Sequence, residues 1–184
     1  MAQPGKKSHV LTYIIIVAII VALGWLFVRA VQKRIPAGED LSAAYEIVSR
    51  DHIEVGAAHD PYNSNPPTSG PHYVTTAALG FYDLTDEIPA DEYIIHNLEH
   101  GEIWITYRPA LATSTREALS AFGNEPLVIV TPRAANDTDI ALVAWGRVEK
   151  FDLGEAPLDL ERIKGFILRH KNRGPEKVTP SEHR

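Results

Sequence analysis

Five of the eight histidines, His52, His59, His72, His96 and His100, fall within residues 52–100, a density well above that of the rest of the chain. Imidazole is both the commonest nitrogen donor to metals and the side chain that titrates nearest neutrality. Such a cluster therefore points to metal binding, to acid–base chemistry, or to separate polar groups each satisfied in place. The tightest local pattern is His96-Asn97-Leu98-Glu99-His100, and backbone geometry decides what it can do. On a helical turn, residues four apart have Cβ atoms ~5 to 6 Å apart, near enough for two rings to share an ion. On a strand rising about 3.3 Å per residue they would stand ~13 Å apart, out of reach of one metal with bonds near 2 Å. Shared ligation thus requires a turn at Asn97-Leu98. Tyr93-Ile94-Ile95 has strand character and Gly101 permits an abrupt stop, so the local sequence predicts strand, one tight turn, strand.

The same five residues match the H-x-x-E-H pattern of inverzincin metallopeptidases, in which Glu99 would be the catalytic base of a hydrolase; that chemistry needs a longer helix than Gly101 favours. A second pattern, Pro66-Pro67-Thr68-Ser69-Gly70-Pro71-His72, surrounds a histidine with residues that stiffen the backbone and lower the entropy cost of holding the ring. Thr68 and Ser69 can cap a turn or fix an imidazole tautomer. No strand-to-helix elbow surrounds Ser69, which argues against a nucleophile. His52 follows Asp51 and is a fourth candidate donor, while Tyr62, Tyr82 and Tyr107 are expected in the core. His9, His170 and His183 carry no assigned role.

These side chains must be held by an α+β domain preceded by a membrane helix. Val10 to Val28 contains no charge and as a helix is about 28 Å long, the thickness of a bilayer's hydrocarbon core. Tyr13 and Trp25 lie near its ends, flanked by Lys6, Lys7, Arg29, Lys33 and Arg34. A cleaved signal peptide is the rival reading, for which Trp25-Leu26-Phe27-Val28-Arg29 offers a poor cleavage site. Positive charge is nearly balanced on the two flanks, so counting it leaves the orientation open. The expected organisation is a tail over 1–9, a transmembrane helix over 10–31, a linker over 32–40, a globular domain over 41–175 and a polar tail over 176–184. Beyond residue 34, 13 basic residues face 24 acidic ones, a formal charge of −11 that disfavours nucleic acid. The lack of cysteine excludes thiol chemistry, cysteine-ligated zinc and disulfides.

Within the domain, Leu41, Tyr45 and Val48 have helical spacing behind a possible Asp40 cap, and residues 56–80 are too broken by Pro and Gly for regular structure. A strand is expected at 102–107, then a helix from the capping box Ser114 to Glu117 through Phe122, a buried strand at 127–130, and a hairpin partner at 140–148. A last helix carries Leu160, Ile163 and Ile167. A strand-helix-strand crossover followed by an antiparallel neighbour gives a mixed sheet with two or three flanking helices.

Asp51-His52-Ile53, Tyr62, the run from Asn65 to His72, Gly80-Phe81-Tyr82-Asp83, His96 to Gly101 and Ala144-Trp145-Gly146-Arg147 together resemble the DUF3105 family of bacterial membrane-anchored proteins. The resemblance covers roughly residues 45–175. It implies a single-pass cell-membrane protein with an extracytoplasmic carboxy-terminal domain, and it selects His52, His72, His96, Glu99 and His100, ranking His59 lower. It implies no reaction. The leading expectation is a histidine-based module for a divalent metal, zinc or copper, in which His72, His96 and His100 converge with His52 and Glu99. The alternatives are a metal-dependent hydrolase and a metal-free domain serving an unspecified protein partner.

Overall fold

A computed structural model describes residues 7–32, 36 and 38–176. They fall into two units, an amino-terminal helix and a domain that begins just after Pro36. The helix, α1 (Lys7–Gln32), contains one candidate span, His9–Arg29, with a mean hydropathy of 2.8. It is long and apolar enough to cross a membrane, and its large apolar residues are exposed.

The domain is α+β. Its sheet has six strands: β1 (Ala43–Ala44), β4 (Gly80–Phe81), β5 (Ile103–Tyr107), β6 (Val128–Pro132), β7 (Ile140–Ala144) and β8 (Arg147–Phe151), in the order β1-β8-β7-β5-β6-β4. β5 runs parallel to β6 and antiparallel to β7, so the sheet is mixed as the crossover argument requires. A separate parallel pair joins β2 (His52–Ile53) to β3 (His72–Tyr73).

Strand alternation sorts the core into two layers. Ile103, Ile105 and Tyr107 face one side with Leu119, Phe166 and Ile167, under α3 (Thr113–Ser120) and α4 (Leu160–His170). Trp104 faces the other side with Ile129, Val143, Ile94 and Leu98, the last two from α2 (Asp91–Glu99). Helix α2 is therefore sandwiched between the sheet and the β2–β3 pair.

Four local expectations are corrected. Residues 93–95 lie in α2 and not in a strand, because Asp91, Ile94, Ile95 and Leu98 share helical spacing, and the three apolar residues among them are fully buried. Asp91 and Glu92 also suit the positive end of the helix dipole. No helix forms over 41–48: Asp40 takes the Ser42 amide at 3.0 Å, the Tyr45 amide donates to Gly146, and the Val48 amide donates to the Ser69 hydroxyl. Residues 140–148 form not one strand but a hairpin turning at Trp145-Gly146, and β7 pairs with β5, across from β6. Helix α3 starts two residues earlier than the capping box implied, with Ala112 as N-cap and no side-chain cap.

Candidate metal centre

His96 and Glu99 lie three positions apart on α2, so their side chains share one side of the helix. The first turn of the helix is pinned by Arg133, whose guanidinium donates to both oxygens of Asp91 at 2.8 to 3.1 Å and to Asn65 Oδ1 at 2.6 Å. One cation thus ties the histidine-bearing helix to the proline-rich loop.

That loop is buried from Pro66 to Gly70, not draped over the surface. The Tyr62 hydroxyl donates to the Pro71 carbonyl at 2.8 Å, and the His72 amide donates to Asp51 O at 3.0 Å. Register within the parallel pair sets His52 directly beside His72. Their rings lie 4.8 Å apart edge to face, and the His96 ring is 4.9 Å from His52 and 5.1 Å from His72.

One donor atom from each of His52, His72, His96 and Glu99 falls within 4.8 Å of the others. His72, His96 and Glu99 are buried and His52 is exposed, so the group has three interior members and one at the surface. The tautomers of two rings follow from their partners. His72 Nδ1 is 2.8 Å from the Gly70 carbonyl and His96 Nδ1 is 2.9 Å from the Tyr73 carbonyl. A carbonyl only accepts, so each Nδ1 carries the hydrogen, and in the neutral ring Nε2 holds the lone pair. His72 Nε2 is buried and makes no hydrogen bond, yet Glu99 Oε2 lies 3.1 Å away. With the His72 ring neutral, two lone-pair atoms are pressed together out of water, an arrangement that a cation between them, or a proton on Nε2, relieves. Arg50 Nε approaches the other carboxylate oxygen at 3.8 Å from an exposed position.

His100, expected in the same set, falls in a neighbouring one. Its donor atom groups with those of His96 and Glu176, again within 4.8 Å. Its ring is 4.5 Å from His96, as one helical turn predicts, and its Nε2 is 3.5 Å from Glu176 Oε2. His59 lies apart, against Glu92 at 3.3 Å, and Tyr107 is in the core as expected. His183 lies outside the described residues. Sequence reasoning missed Arg133, Arg50 and Glu176. The last was assigned to the polar tail, but its amide donates to the Glu99 carbonyl at 3.1 Å.

Burial, followed by repulsion from His100, His72 and His52, pushes His96 down from 6.5 to about 4. Between those values the unfolded chain takes up a proton at His96 that the folded chain refuses. The metal-free protein is therefore expected to lose stability as the pH falls through this window, and the His96 contribution levels off below it. Urea midpoints at pH 7 and pH 4.5 check this: His96→Gln should flatten the decline, and an equal decline in both proteins would count against it.

The fold and this cluster define a class, an α+β domain that follows an apolar helix and gathers three imidazoles and a carboxylate beneath a proline-rich loop. The family model for proteins of unknown function, DUF3105, matches residues 56–183, and the chain belongs to that family. Neither a curated protein nor a solved structure matches the chain.

Proposed function

We propose that this is a single-pass membrane protein whose extracytoplasmic domain binds one divalent metal ion through His52, His72, His96 and Glu99. The observation that carries the reading is the buried pair of His72 Nε2 and Glu99 Oε2, 3.1 Å apart with no hydrogen bond between them. Three neutral imidazoles and one carboxylate, without thiolate or thioether, suit zinc or copper(II). A tetrahedral ion with bonds near 2 Å sets its donors about 3.3 Å apart, so the cluster contracts on loading, and exposed His52 is the member with room to move. The hydrolase alternative gains less support, because Glu99 points at His72 as a ligand would, rather than standing free to activate water.

The test uses the full chain in detergent. Bound zinc or copper is measured by mass spectrometry after dialysis, together with the melting temperature before and after chelation. One ion per chain and a chelator-sensitive rise in melting temperature are expected. Absence of both abandons the reading. In intact cells, externally added protease should remove the domain while α1 stays in the membrane fraction; protection of the domain would reverse the orientation, and its release in soluble form would favour a cleaved signal.

A further inference from the structure

His96 is common to both donor groups, the inner one with His52, His72 and Glu99 and the outer one with His100 and Glu176. Because its Nδ1 is engaged by the Tyr73 carbonyl, the ring offers a single lone pair, at Nε2. One lone pair serves one ion. The two groups therefore cannot both be complete at once, and they are not the halves of a two-metal centre.

We infer that they are successive stations for a single divalent cation, the outer group capturing it and His96 carrying it across to the inner one. This rests on the metal-binding reading above. Apart from surface-exposed His52, exposure sets the direction. The side chain of Glu176 is 51% exposed and that of His100 14%, against 6% for Glu99 and 0% for His72. Donor number agrees with it, since three groups hold the ion outside and four hold it inside. The stations are also fixed to each other. His96 and His100 lie one helical turn apart, with rings 4.5 Å from centre to centre. The Glu176 amide bonds to the carbonyl of Glu99, so the outer carboxylate is tied to the residue that supplies the inner one. Transfer is an exchange of ligands: the bonds to His100 and Glu176 break as those to His72, Glu99 and His52 form, and the bond to His96 is retained. One carboxylate leaves as another arrives, so no proton or electron is needed.

The experiment follows zinc entering and leaving the full-length protein by stopped flow against a fluorescent chelator, in wild type, His100→Ala and Glu176→Gln. The expected result is that both variants keep the equilibrium affinity of wild type within about threefold while their uptake and release rates fall together by about tenfold, the signature of a lost intermediate. The Glu176 substitution is nearly isosteric and half exposed, so it decides the matter if His100→Ala folds poorly. Unchanged rates in both, two ions held per wild-type chain, or an affinity loss in His100→Ala as large as that of His72→Ala would each overturn the inference. If wild type itself takes up no metal, it is the metal-binding reading that fails.

Discussion

His72→Ala and His72→Gln are expected to weaken metal binding by more than about 100-fold and to erase the ion-dependent rise in melting temperature. Displacing a mere supporting group around a metal already costs ~10 to 100-fold, and His72 is the most interior of the donors. The glutamine variant matters more, because it keeps much of the volume of the side chain while withdrawing the lone pair from Glu99. A structural role predicts something else. If the histidines were only a polar scaffold, the variants would lower the melting temperature of the metal-free protein, and zinc or copper would shift neither wild type nor variant. The decisive quantity is therefore the difference between loaded and metal-free melting temperatures, measured by calorimetry in each protein. Retention of that difference in His72→Gln would remove His72 from the ligand set.

The second large effect lies at the end of α2, where the chain that follows α4 packs against it. Gly101 has φ +86, and a Cβ placed on it would sit 2.7 Å from the Gly174 amide nitrogen and 2.8 Å from that of Arg173. Gly174 is as close in return, since a Cβ there would collide with the Glu99 carbonyl. The Asn172 amide donates to the Gly101 carbonyl at 2.6 Å, so the two segments are hydrogen-bonded backbone to backbone where they touch. Gly101→Ala must adopt an unfavourable left-handed backbone and push this contact apart, together costing about 2 to 5 kcal/mol. Urea denaturation should read that loss directly, and Gly174→Ala should show a comparable one. A loss under about 0.5 kcal/mol in both, the level of ordinary surface substitutions, would mean that the segments are not packed as described.

The uncharged run Val10 to Val28, the strand Ile103–Tyr107 and the stripe of Leu160, Ile163 and Ile167 were legible because each repeats one signal over several residues. Helix α2 was not. Its paired isoleucines have strand preference, and only with Leu98 included does the helical period appear, while the commitment to helix comes from the sheet face that buries Ile94 and Leu98. The segment at 41–48 failed conversely: its spacing was helical, but its amides found partners on Gly146 and Ser69, distant in sequence. The candidate donors were visible as residue types, and the assignment of His100 to one group or another was not, since that depends on which side of the His96 ring each neighbour occupies. Arg133 and Glu176 gave no signal because a single charged residue in a polar stretch looks the same whether solvated or anchored.

The β2–β3 pair is only two residues long on each strand, too short to hold itself together, and it joins positions 52 and 72 of the chain. An ion gripped by both histidines would close that loop as a covalent link does, and tying off a loop of about 20 residues restricts the unfolded chain by on the order of 3 kcal/mol. In a protein without cysteine, the metal would then be a removable crosslink, and the melting-temperature rise on loading would measure how much of the fold depends on that staple being in place.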